Sequence, residues 1–308
     1  MRRRVLAGVI AALVLGGCGP ASVVPPTQTA GEAAWTAAVG GMPAVANPLS
    51  GNVCGRGSRA CIDAVVAEMT RRFDALDARC SHEAPFALLY LQVTRGVDIQ
   101  GATRFQSTAY LNHLDAEFAS LYFRAYDNWQ AGRTAEVPEA WRIAFQSADR
   151  GTVSVLGDIL LGMNAHISRD LPFALARTGL REPNGQSGEP DFNRVNALLG
   201  NVTPVSLADE ANRYDPTLTT SVLEPARLYP VSLQQLLSAW RTDSWHNAQR
   251  LLAARAPAQR AAVAASIERG AAGRARLIAA VTSNSITGPS ASVRDAYCRR
   301  GVSRGAQP

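Results

Sequence analysis

A histidine and an aspartate stand four residues apart in the stretch GMNAHISRDLP, Gly162 to Pro172. On a helix, side chains at i and i+4 meet on one face, so His166 and Asp170 can act as a pair. Two chemistries follow. The pair can hold a metal ion from two sides, or the carboxylate can fix the imidazole in one tautomer as part of a buried network. A zinc site needs more than two protein ligands. Candidates for the rest are His82, opening a helix at Ser81-His82-Glu83, and Asp115, which shares a side with Leu111, Phe118 and Tyr122 and is the most core-facing acid of its helix. The candidate metal set is therefore His82, Asp115, His166 and Asp170, for one zinc or manganese ion. The candidate catalytic set is Asn164, His166 and Asp170, with Asn164 facing a different direction. His113 and Glu117, on the side of Arg124, read as a solvated face with an ordinary ion pair. His246, after Trp245, reads as a partly buried surface histidine.

The elements that must position these residues are helices. Ile62, Val65, Val66, Met69, Phe73 and Leu76 recur at threes and fours, as do Leu111, Leu114, Phe118, Leu121, Ala125 and Trp129, and strand-like alternation is scarce. Further helices are expected over Ala84 to Arg95, Pro138 to Ala148, Val153 to Thr178, Leu233 to Ala254 and Ala258 to Thr282. Pro138 suits a helix start and Gly179 a stop. The fold class is all-α, one multi-helix domain over residues 49–299. Leu180 to Pro230, punctuated by prolines and glycines, is expected to be a long irregular excursion holding only short helices, a lid or a wrapping arm. Residues 300–308 read as a disordered tail. Tyr122, Phe123, Tyr126 and Trp129 have helical spacing and read as core. Gly301 to Gly305 spells a nucleophile-elbow pattern, without the preceding strand or a following histidine that such a site needs.

The amino terminus states an address. Met1 to Arg4 is a positive region, Val5 to Leu15 an unbroken apolar run, and Leu15-Gly16-Gly17-Cys18 completes a lipobox. The run is too short for the roughly twenty residues of a spanning helix. Residues 1–17 are expected to be a lipoprotein signal peptide and Cys18 the lipid anchor, acylated as in the bacterial lipoproteins that this segment resembles. Residues 18–48, rich in Pro, Ala, Gly and Thr, read as a flexible tether. The expected location is the extracytoplasmic face of the bacterial cell envelope, with the membrane as partner through the acyl chains. In that oxidising setting, Cys54, Cys61, Cys80 and Cys298 are expected to form disulfides, with Cys54–Cys61 and Cys80–Cys298 the favoured pairing.

Composition narrows the chemistry. All 31 basic residues are arginine against 25 acidic ones, for a net charge of +6. The missing lysine removes P-loop, Schiff-base and Ser-Lys chemistry together. It reads as codon bias in a GC-rich genome, and the arginines form no clustered basic face, so no nucleic-acid partner is expected.

Ala119 to Trp129, Pro138 to Phe145 and Gly162 to Pro172, carrying the motif G-x-N-A-H-I-x-x-D-L-P, resemble a family of uncharacterised, all-helical bacterial proteins, a domain of unknown function. The likeness spans Arg72 to Gly179, with an echo at Ala239 to Leu252. It implies an all-α fold and a part for Asn164, His166 and Asp170, and no reaction. His166 and Asp170 followed by Pro172 also resemble, distantly, an element of zinc-dependent phospholipase C and P1-type nucleases. Those enzymes hold three zinc ions through an N-terminal tryptophan and several histidines, which four histidines and a lipidated cysteine do not supply. The expected role is a lipid-anchored envelope protein that binds a protein or lipid partner or serves a structural role without enzymatic activity. The alternative is a metal-dependent hydrolase of an envelope lipid or phosphoester using His166 and Asp170.

Overall fold

The computed structural model describes residues 57–218, 233–284 and 289–305, with backbone alone at 98–103 and 302–305. Cys18, Cys54 and the expected signal and tether lie outside the described residues. The fold is all-α: no strand occurs among the described residues, only isolated bridges at Val153–Ser283 and Arg181–Ser187. No described helix is long and apolar enough to cross a membrane.

Helix α1 (Arg59–Asp77) starts at Ser58, whose hydroxyl accepts from the Cys61 N–H, and buries the stripe Ile62, Val65, Met69, Phe73 and Leu76. It ends in a Schellman turn: the Ser81 N–H returns to the Leu76 carbonyl and the Cys80 N–H to that of Asp77. Cys80 occupies the left-handed position with φ of 55°, where a glycine is usual. Helix α2 (Ala84–Arg104) and helix α3 (Thr108–Gln130) follow, α3 capped by the Ser107 hydroxyl. Helix α4 (Glu139–Arg150) begins after Pro138 and stops at the left-handed Gly151.

A single helical rod then runs through the centre of the molecule. It comprises α5 (Val155–Asn164), a π-helical turn (Ala165–Asp170) and α6 (Leu171–Thr178), ended by Gly179 at φ 89°. Every residue from Val153 to Leu175 is buried, as befits a helix that is apolar nearly all round. Around it pack α2, α3, α4, α8 (Leu233–Ala253) and α9 (Pro257–Val281). Gly162 lets α2 come close: a Cβ there would meet the Phe86 ring at 2.3 Å.

Two expectations are corrected. The segment after Leu180 is not largely irregular, because α7 (Glu189–Arg213) fills 25 residues of it and packs on α2. Pro190 sits in the first turn, where its missing N–H costs nothing. Pro204, in an exposed part of α7, removes only the bond to the Gly200 carbonyl. Residues 219–232 lie outside the described set. The tail is likewise helical further than expected: α10 (Ala291–Gly305) carries Gly301 to Gly305 in its last turns, where no strand-to-helix elbow exists. Cys80 and Cys298 are bonded as expected, with Cα atoms 5.9 Å apart. Cys61 is also disulfide-bonded; its expected partner, Cys54, lies outside the described residues.

Candidate functional site

The π turn decides the geometry around His166. The Leu171 N–H bonds back to the His166 carbonyl, five residues earlier, and this leaves the Ile167 carbonyl without its normal donor. Ser244 of α8 supplies one: its hydroxyl lies 2.6 Å from that oxygen and 2.8 Å from the Trp240 carbonyl of its own helix. Pro172, which has no N–H, follows at once and suits a backbone whose hydrogen-bond ladder is already interrupted.

On one side of the rod the charged groups are paired. Asp170, fully buried, accepts from Trp141 Nε1 at 2.8 Å and from Arg169 Nη1 at 2.8 Å, and its Oδ2 lies 3.3 Å from His166 Nδ1. Arg169 also donates to Glu268 of α9 at 2.7 Å and stacks over Phe173. Burial disfavours that guanidinium, but Glu268 and Asp170 more than offset it and hold its pKa above the ordinary value. Asn164 faces away and donates to the Ala271 carbonyl at 2.9 Å. It clamps α5 to α9 and does not join His166.

On the other side lies a cavity of about 80 Å³ that opens to solvent. Tyr90 and Val93 of α2, Leu114, Asp115 and Phe118 of α3, Met163, His166 and Ile167 of the rod, and Phe192 and Leu199 of α7 form most of its wall. His166 lies flat on Phe118, ring centroids 3.4 Å apart, with Tyr90 edge-on at 4.3 Å. Its Nε2 is buried and has no hydrogen-bond partner among the described residues. Burial lowers the imidazole pKa, opposed in part by Asp170, so the ring is neutral near pH 7. With Nδ1–H directed at Asp170, Nε2 is an acceptor. Asp115 does share the cavity wall, beside Tyr90, whose phenol is pushed well above its ordinary pKa by burial and by that carboxylate.

His82 is elsewhere. Its ring bridges Asp158 of α5 at 3.3 Å and Asp295 of α10 at 3.1 Å, because the turn that carries it packs under the C-terminal helix. The four-residue metal set is therefore not brought together, and no group of three or more His, Cys, Asp or Glu among the described residues could hold a metal ion. Glu117 is also misplaced by the periodicity: it is buried, paired to Arg177 at 2.8 Å, with His113 at 3.7 Å. His246 is exposed.

Beside His82, Glu83 is buried, and burial together with Asp149 pushes its carboxyl up to about 7. Between its ordinary 4.5 and that value the folded state holds a proton that the unfolded state has lost, so stability falls as pH rises through this window. At roughly 1.4 kcal/mol per unit the loss is about 3 kcal/mol. Glu83→Gln should flatten the curve of denaturation midpoint against pH over pH 4.5–7 and be the more stable protein at pH 8; an unchanged slope would remove Glu83 as its source.

Sequence reasoning missed two members of this region. Arg241 lines the same cavity from α8, and Trp141 holds Asp170. Both were legible in principle, since Arg241 falls on the stripe Leu237, Trp240, Ser244, Trp245 and Ala248, where a core residue is due. The family model of a family of unknown function, DUF5995, matches residues 62–281, well over half of the chain. The chain belongs to DUF5995. No curated protein and no solved structure matches it. The DUF5995 match begins inside α1 and ends with α9, so it contains the rod, the cavity and every residue that lines it.

Proposed function

We propose that this protein is a lipid-anchored cell-envelope protein that binds a small, largely apolar ligand in the cavity beside His166, without turning it over. The observation that carries the reading is the division of the rod. The charged groups on one side are spent on packing, whereas the other side borders an apolar cavity whose wall, among the described residues, holds polar groups at only Tyr90, Asp115, His166 and Arg241. Among the described residues no serine, threonine or cysteine lines it, so none of these supplies a nucleophile there. The lipobox at Cys18 and the Cys80–Cys298 bond support an oxidising, extracytoplasmic setting.

One feature favours a second reading, a hydrolase. Asp170 orients His166, a residue of the cavity wall, and leaves its Nε2 an acceptor with no hydrogen-bond partner among the described residues, which is how a general base is held. Assays of the purified full chain on carboxylic-ester and phosphoester reporters, with and without added zinc or manganese, separate the two. The binding reading expects no turnover that His166→Gln abolishes. Metal-dependent turnover lost in that variant would replace it with the hydrolase. Anchoring is tested separately: Cys18→Ser should lose incorporation of a labelled fatty acid and leave the membrane fraction.

A further inference from the structure

Arg241 is the least expected group in the cavity. It is buried, and its guanidinium lies 4.1 Å over the Phe192 ring. Its Nε donates to Asn196 Oδ1 at 2.8 Å and its Nη2 to the Phe192 carbonyl at 2.6 Å. Both acceptors are neutral, and no ion pair to Arg241 occurs among the described residues. Burial lowers its pKa to about 9. The cation is thus kept near pH 7 at a cost that no carboxylate offsets. Arg169 provides the contrast within the same molecule: equally buried, it has both Asp170 and Glu268.

A buried, uncompensated guanidinium is expensive, and such groups are ordinarily paired. Here the two hydrogen bonds occupy one edge of the fork, Nε and Nη2, and hold it rigid. The outer edge, between Nη1 and Nη2, remains available, and that edge matches the two oxygens of a carboxylate. Asp115 does not supply them. Its charge raises the Tyr90 phenol, and no ion pair between it and Arg241 occurs among the described residues. We infer that the cavity is a binding site for a monocarboxylic acid with a short apolar body, its carboxylate on the outer edge of Arg241 and its body among Val195, Leu199 and Ile167.

Size and charge both narrow the class. At about 10–15 Å³ for each water-sized group, 80 Å³ holds about five to eight such groups, the length of a six-carbon acid and far short of a two-chain lipid. One arginine pairs with one negative charge, and Asp115 already adds a carboxylate to the same wall. A phosphomonoester dianion would leave charge unpaired in the cavity.

This assignment rests on the ligand-binding reading above and is tested so that the two fail apart. The full chain is titrated calorimetrically with hexanoate and with 1-hexanol, and the titrations are repeated on Arg241→Met and on Leu199→Trp, which fills the cavity while leaving Arg241 in place. The expected result is hexanoate binding at least tenfold tighter than hexanol, weakened at least tenfold by Arg241→Met and abolished by Leu199→Trp, with hexanol affinity little changed in Arg241→Met. If Arg241→Met does not fold, Leu199→Trp and the acid-to-alcohol ratio carry the test. Equal affinity for acid and alcohol, both lost in Leu199→Trp, overturns the carboxylate assignment and leaves the ligand-binding reading standing. Absence of binding by either compound overturns both.

Discussion

Asp170→Ala is expected to cost about 3–5 kcal/mol of folding stability, the range for removing one partner of a buried ion pair, read as a lower denaturant midpoint at an unchanged slope. Three donors converge on this carboxylate from three directions: Trp141 of α4, Arg169 of the π turn and, at the longest distance, His166. Alanine leaves the Trp141 N–H with no acceptor in a dry core and removes half of the charge that makes a buried Arg169 tolerable. Arg169 keeps Glu268, so part of the loss is recoverable. Arg169→Met with Asp170→Ala should therefore be more stable than the sum of the single changes predicts, by more than about 1 kcal/mol. Additive effects would mean that Asp170 serves Trp141 and His166 and that Glu268 alone holds the arginine. Asp170→Asn, which can keep the Trp141 bond, should lie between wild type and alanine. The same series bears on His166: if Asp170 fixes its tautomer, the imidazole resonances of Asp170→Asn should change while the fold persists.

How far these features could be read beforehand depends on what kind of physical constraint produced them. The all-α class, the start at Pro138, the stop at Gly179 and the limits of the central rod follow from local rules, and the structure matches them. The compartment called for disulfides and left three pairings open; the favoured Cys80–Cys298 bond is present. Proline counting failed between Leu180 and Pro230 because it treated every proline as a breaker. Pro190 opens α7 and Pro204 sits where tertiary contact with α2 outweighs one lost hydrogen bond. Periodicity placed Asp115 above Glu117 in burial, whereas packing against Arg177 of α6 puts Glu117 inside and leaves Asp115 at the cavity wall. The π turn is a tertiary effect: it requires Ser244, 77 residues away in sequence from the Ile167 carbonyl that it satisfies. The separation of His82 from His166 is a matter of topology, set by the docking of α10, and no single-residue pattern reports it.

That docking sets the second large expectation. Cys298→Ser opens a link of 218 residues in sequence separation, for which loop-closure entropy gives about 5 kcal/mol and measured disulfides more often 2–4 kcal/mol. The expected loss is about 3 kcal/mol, or roughly 10 °C in melting temperature for a domain of this size. The contacts around the bond argue that the loss acts through the unfolded chain and not through release of α10. Arg294, buried to 2% exposure, donates to the Cys80 and Ser81 carbonyls and stacks over Tyr214, and Asp295 meets His82. These contacts hold the helix over the Schellman turn without the sulfur bridge, and they fix the Cys80 and Ser81 carbonyls whether or not Cys80 is bonded. Native-state hydrogen exchange discriminates between the two routes. Amides of α10 in Cys298→Ser should exchange with the same global opening as those of the central rod, shifted together by the lost stability. Fast exchange confined to α10, with the rod protected as in wild type, would show that the disulfide is the clamp and that Arg294 and Asp295 follow it.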